Sequence, residues 1–341
     1  MKPFVELLCG DKCAGRATGT PGGKFARSLV ESEFGTMGYE PELQHIAECG
    51  GDNVIARLPG AIDRWVLVGA HFDHLGTHDG SVYRGADDNA AAVAILMEVA
   101  RHLKHRPPRM RGVLFVSFDA EEPPNFMTSA MGSEHFAAHP PVPLDTIDMM
   151  LCMDLVGHAL GPPGLPDEVR QTVFALGAER SEGTGAHVDR LARVQPGVVV
   201  RRADAESIPP LSDYNAFWHR GVPFLFLSCG RSSVYHTPED VPEKLDYAKM
   251  QALARWLERW VRETCERPGP RIAVRRGRDD ASTLRAMIDL TGALAKVSPL
   301  AVPGAARAKS LLVACSADGR LPDARRVELM TLVGMLEQGL G

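Results

Sequence analysis

The sequence predicts an α/β fold: a mostly parallel, mixed central sheet flanked by helices, with a small all-helical appendage at the C-terminal end. Three observations carry that expectation. Short, almost unbroken apolar runs at 65–70, 112–118 and 147–153 read as strands buried on both faces. Helical patterns alternate with them, and such alternation means crossover connections in a parallel sheet. Each run leads into carboxylate or imidazole side chains, and open α/β sheets carry their chemistry at strand carboxyl ends.

The elements follow in order. Residues 21–34 place apolar side chains at 25, 29, 30 and 34 and stop before Gly35, a helix with a glycine terminator. Strands are expected near 53–58 and 65–71. The stretch 89–103 is alanine-rich and apolar on more than one face, so it reads as a helix packed deep against the sheet. Further strands are expected near 112–119, 147–153, 171–176 and 222–228, with helices near 181–193, 213–220 and 243–265. After Cys265 the composition turns to Pro, Gly and Arg, which suits a linker over 266–278. Helical patterns then cover about 279–297 and 322–338, with a shorter one near 304–315. The expected division is therefore a main domain at 1–265, the linker, and a helical region at 279–341. Residues 268–341 carry 11 basic and 7 acidic side chains, a net of +4 on a chain whose total is −5. A basic helical appendage could dock a partner, but a cover for the sheet or core is the expectation.

Bulk properties narrow the function classes. The charged fraction of 24% and hydrophobic fraction of 45% are those of a globular protein, and no apolar run reaches the roughly 18 residues that span a bilayer. Neither a nucleic-acid nor a membrane partner is expected, and oligomeric state is left open. The opening Met1–Leu8 includes Glu6, so it does not read as a secretory signal, and a cytoplasmic location is expected, with export possible if a signal has been removed. Seven irregularly spaced cysteines argue against a disulfide framework.

The chemistry-bearing residues form five clusters: His71-Phe72-Asp73, Asp87-Asp88-Asn89, Glu121-Glu122, Asp154 and His236. Carboxylates and imidazoles are costly to bury alone, and a shared cation is the commonest partner that satisfies several at once. Asp73 stands two residues from His71 on one strand face, where it can take the second ring N–H of a metal-binding imidazole. Adjacent glutamates in an extended segment cannot point the same way, so one of the pair can bind a cation while the other faces a reacting water.

These fragments and their order resemble the zinc aminopeptidases of peptidase family M28 over about residues 1–265. The resemblance runs through Gly15–Gly22, Asn53–Gly60, Gly69–Asp73, Gly85–Ala90, Glu121-Glu122, Met153–Gly157, Ser212–Phe217 and Tyr235–Asp240. It implies a zinc-peptidase fold of the phosphorylase/hydrolase-like kind and two Zn²⁺, for which Co²⁺ or Mn²⁺ could substitute. Asp87 would bridge the ions, His71 and Asp154 would complete one, and Glu122 and His236 the other. Glu121 would be the general base, Asp73 the partner of His71, and the substrate a peptide losing its N-terminal residue. Three departures stand out: the long apolar stretch between Glu122 and Gly132, Tyr214 where the motif usually has histidine, and no cysteine pair beside Ser212-Asp213. Phe126, Met127, Met131 and Phe224 or Phe226 are expected near the substrate mouth, with Tyr214 and Arg231 as further substrate-facing candidates. His74 and His158, like the other histidines, are read as having no role. The alternatives are a one-zinc glutaminyl cyclase, a dipeptidase or carboxypeptidase using Arg231, and a catalytically silent binding module.

Overall fold

The computed structural model describes residues 1–269 and 271–340; Pro270, inside the expected linker, lies outside them. Among the described residues ten strands are formed: β1 (Glu42–Ile46), β2 (Gly51–Leu58), β3 (Ile62–His71), β4 (Gly76–His78), β5 (Ser81–Tyr83), β6 (Arg111–Phe118), β7 (Ile147–Met153), β8 (Thr172–Leu176), β9 (Val199–Ala203) and β10 (Phe224–Ser228). Eight make one sheet in the order β1-β2-β6-β3-β7-β10-β8-β9, and β4 and β5 form a separate hairpin. The centre, β6-β3-β7-β10, is wholly parallel, while β2 on β6, β1 on β2 and β8 on β10 are antiparallel. Register aligns His71 with Phe118 and Leu227 with Met153, so these four strands end along one edge.

The helices are α1 (Lys2–Leu8), α2 (Pro21–Thr36), α3 (Ala91–His105), α4 (Gly132–Ala138), α5 (Asp167–Arg170), α6 (Thr184–Ala192), α7 (Tyr214–Trp218), α8 (Tyr247–Cys265), α9 (Asp280–Leu294), α10 (Ala301–Val313) and α11 (Asp323–Leu340). α3 and α8 cover one face of the sheet. Small side chains along α3, from Ala91 to Ala100, let it approach closely, and Trp256 and Trp260 of α8 fill the space beside it. α4 and α7 cover the other face, where Phe136 and Phe217 pack on Phe118. No helix among the described residues is long and apolar enough to cross a membrane.

Two strands of the large sheet went unanticipated, as did the β4–β5 hairpin. β1 is an edge strand with one buried residue, Ile46, and so lacks an apolar run. β9 carries Arg201 and Arg202, which reach out to Asp289, Asp189 and Asp279. The C-terminal helices build a small core from Leu284, Met287, Ala308, Leu311, Leu321 and Leu329. The end of α11 then leaves that core: Leu340 packs with Leu290, Leu160 and Val169, tying the appendage to the body of the protein.

Candidate metal centre

Each cluster reaches the site from a strand end or the turn beside it. His71 closes β3, Glu121 and Glu122 lie just past β6, and Asp154 directly follows β7. His236 lies beyond β10, and residues 86–90 form a tight irregular turn leading into α3. Because the strands are parallel and in register, these groups meet at one edge.

His71 Nε2 lies 3.4 Å from Asp88 Oδ1 and 3.5 Å from Asp154 Oδ1. His236 Nε2 lies 3.1 Å from Asp88 Oδ2 and 3.3 Å from Glu122 Oε2. Asp88 therefore presents one carboxylate oxygen to each half of the cluster. His71 Nε2, His236 Nε2 and Asp154 Oδ1 are buried without a hydrogen-bond partner. Buried polar atoms are nearly always satisfied, so unpartnered atoms converging from imidazoles and carboxylates fit divalent cations. Two such donor sets sharing Asp88 occur: His71 with Asp154, and His74 with Glu122.

The bridge expected at Asp87 is corrected by this geometry. Asp87 and Asp88 are adjacent in a tight turn and point opposite ways. Asp87 Oδ1 accepts from the amides of Gly157 at 2.7 Å and His158 at 3.1 Å, and its Oδ2 lies 2.6 Å from His158 Nδ1. With its lone pairs engaged there, Asp87 anchors the turn, and Asp88 is the carboxylate in the cluster. Asp240 holds the same turn from the other side, accepting from the amides of Asp87 at 2.9 Å and Asp88 at 3.1 Å.

Asp73 accepts from the amides of Glu121 and Glu122, both at 3.1 Å, and lies 3.5 Å from His71 Nδ1. One carboxylate thus orients the imidazole and both glutamates. His74, expected to be bland, is buried with Nδ1 2.8 Å from Glu122 Oε1. Arg16 is fully buried and donates to the carbonyls of Phe72, Arg84, Gly85 and Asp88. Sequence alternation could not have found His74, because the chain has left the strand by that point; Arg16 lay in a recognised fragment but carried no sign of its partners.

The carboxylates crowd one another. Burial, opposed by His71 and reinforced by Asp154 and Asp213, pushes Glu121 well above the usual carboxylate range. Burial pushes Asp213 up to about 7, with His71 opposing and Asp73 and Asp154 adding to the rise. His236 is held down by burial, but the facing carboxylates of Asp88 and Glu122 outweigh it and carry the imidazole up to about 10. Cations would relieve this crowding by stabilising every charged carboxylate at once.

A cavity of about 630 Å³ opens from the cluster. Of the expected substrate-facing residues, Phe126, Tyr214, Phe226 and Arg231 line it. Tyr214 is held by stacking on Phe224 and Phe226, with ring centroids 4.9 and 4.5 Å away. Met127 and Met131 are corrected: they do not line the cavity. Met127 is exposed, and Met131 is buried just before α4; of this segment Pro123 and Phe126 line the cavity. Phe224 is buried behind Tyr214.

Fold and donor set define a metal-dependent, peptide-processing enzyme. The model for peptidase family M28 matches residues 53–261, and the chain belongs to that family. It is similar to the uncharacterised protein YfbL of Escherichia coli K12, 27% identical over 247 residues covering 65% of this chain and 74% of YfbL. It is also similar to the glutaminyl-peptide cyclotransferase of Boiga irregularis, 28% identical over 242 residues, 62% of this chain and 65% of that protein. The chain thus spans just under two thirds of that cyclotransferase's length. Among solved structures, the LapA aminopeptidase of Legionella pneumophila superposes with a TM-score of 0.64 at 16% identity, covering 79% of this chain and 73% of that one. At that identity the likeness shows the fold.

Proposed function

We propose that the protein is a dinuclear zinc aminopeptidase. The observation that carries this reading is the two-sided presentation of Asp88, with Oδ1 toward His71 and Asp154 and Oδ2 toward His236 and Glu122. Each half then offers one imidazole and two carboxylates, the hard and borderline donors that suit zinc. His74 stands beside Glu122 as a further imidazole on the second half. A pair of such ions would supply Lewis-acid activation of water and of the scissile carbonyl.

The chain's own residues do the rest. Glu121, 3.9 Å from His71 Nε2 and lining the cavity, takes the proton of the attacking water and returns it to the leaving amine. Asp73 keeps Glu121 and Glu122 in divergent orientations through their amides. Asp88, Glu121, Glu122 and Asp154 all line the cavity, so a free α-amine and the scissile carbonyl entering it would meet the cluster directly. Arg231 could instead receive a substrate carboxylate, but its guanidinium stacks on Tyr235, 5.2 Å from the ring centroid.

The glutaminyl cyclase reading draws support from the cyclotransferase relatives and from the long Glu122–Gly132 segment. One panel separates the two. Zinc-reloaded protein is assayed for metal content and with Leu-, Ala-, Lys- and Glu-anilides, N-blocked peptides and a glutaminyl peptide. The proposal expects two ions per chain and hydrolysis of free N-terminal residues. One ion with cyclisation and no hydrolysis would reverse it.

A further inference from the structure

The cavity does not end within the matched segment. Its far side is built by Thr283, Ala286 and Met287 of α9 and by Val333, Leu336 and Leu340 of α11. The wall is apolar at Ala286, Met287, Val333, Leu336 and Leu340, and the exposed Glu337 of α11 is its one charged member among the described residues. Leu160, Phe174 and Leu176 continue it from the body of the protein, so the lining changes from carboxylate and imidazole to mainly apolar along the cavity.

The wall is held in place by directional bonds. Asp204, fully buried after β9, accepts from the amide of Asp279 at 2.5 Å, just ahead of α9. The amide of Asp204 donates to Thr283 Oγ1 at 2.9 Å, and Ser207 Oγ lies 2.9 Å from the same hydroxyl. Arg326 of α11 reaches Glu206 and Asp280 at 3.2 and 3.4 Å. The buried Asp204 carboxylate thus takes one of its donors, the Asp279 amide, from the appendage and another, the Glu206 amide at 2.8 Å, from the body, and a buried charge needs its donors in place.

We propose that α9 and α11 form the specificity wall of the substrate cavity and receive a bulky apolar first side chain of the substrate peptide. This rests on the aminopeptidase reading. A substrate whose amine and carbonyl meet the cluster has its first side chain pointing into whatever lies beyond. Here that is a space closed by Val333, Leu336 and Met287, in a cavity of about 630 Å³, within the range that takes a drug-sized ligand. Leucine or phenylalanine at the first position removes apolar surface from water on both sides, whereas alanine leaves the space unfilled. The appendage is then part of the enzyme's substrate recognition.

The test uses the full chain reloaded with zinc and reads the ratio of kcat/KM for Leu- and Phe-anilide over Ala-anilide. Val333→Trp, at a half-buried position, fills the space and should lower that ratio about tenfold or more, the scale of a steric change in an apolar pocket. Leu336→Ala enlarges the space and should shift preference from Leu toward Phe. Met335→Trp, on the solvent face of the same helix, should leave the ratio as it was. A ratio unchanged in both cavity variants, with both folded by circular dichroism, overturns the proposal. If wild-type protein cleaves no anilide, the aminopeptidase reading fails separately, and calorimetric binding of leucinamide and phenylalaninamide decides the wall. Binding weakened about tenfold by Val333→Trp keeps it; equal binding, or none to wild type, rejects it.

Discussion

The strand-edge cluster and the C-terminal helical wall face each other across one cavity, yet they are built on opposite principles. The cluster gathers side chains from the ends of β3, β6 and β7, which are buried parallel strands in register, and from the turns carrying Asp88 and His236. The wall comes from one contiguous stretch of helices, closed around its own small core and joined to the sheet by the Asp204 bonds and the packing of Leu340. Chemistry is thus dispersed along the chain and rigid in space, while the surface proposed to select the substrate is local in the chain. Each is expected to be alterable without the other.

The largest effect expected on the cluster side comes from Asp88→Ala. It should abolish binding of both ions and reduce turnover below detection, as read by metal analysis and anilide assay. Asp87→Ala loosens the turn without removing the shared carboxylate, so it should retain measurable metal. If the two variants lose metal equally, the distinction between them collapses. Glu121→Gln should retain both ions but lose about 10²–10⁴ in kcat, the usual cost of removing a general base. Turnover close to wild type would transfer that role to another group.

On the wall side, Leu284→Ala removes a fully buried side chain from the core of the appendage. It should cost about 2–5 kcal/mol, measured by denaturant unfolding. If metal content is unchanged while the unfolding trace splits into two transitions, the two regions are energetically separable; one cooperative transition would join them. The smallest effect is expected at the junction. Glu179 accepts from the amide of Ala205 at 3.1 Å, and burial followed by repulsion from Asp204 pushes it from 4.5 up to about 7. A carboxyl whose folded pKa is raised contributes its full stability below its unfolded value and loses it as pH climbs to the folded one. The melting temperature should therefore carry a downward slope between pH 4.5 and 7 from this group, and Glu179→Gln should flatten it. An unaltered slope would place the titration elsewhere.

How much of this could be read without coordinates differs between the two regions. The apolar runs before His71, Asp119 and Asp154 announced both the sheet and the edge where the chemistry gathers, because doubly buried strands tolerate little else. Which of two neighbouring aspartates faces inward was not legible, since a tight turn has no period. The roles of His74 and Asp240 were not legible for a related reason: Glu122 and the Asp87-Asp88 turn reach them across the fold. β1 and β9 escaped because edge and half-buried strands carry mixed polarity. In the C-terminal stretch the helical patterns near 279–297 and 322–338 found α9 and α11, but a helix pattern says that one face is covered without saying by what. Nothing in residues 333–340 distinguishes a side chain turned toward a cavity from one turned toward a neighbouring helix.

Arg16 gives the molecule a boundary that similarity does not draw. The family match begins at residue 53, yet this guanidinium, thirty-seven positions upstream, is shared among carbonyls at 72, 84, 85 and 88. It works as a keystone: two loops carrying His71 and Asp88 lean on one side chain supplied by a distant leg of the chain. Cut back to the matched segment, those carbonyl oxygens would lose their shared donor, and the core would lose the cover of α1 and α2. The minimal unit defined by kinship and the minimal unit that can stand mechanically are therefore different lengths of the same polypeptide.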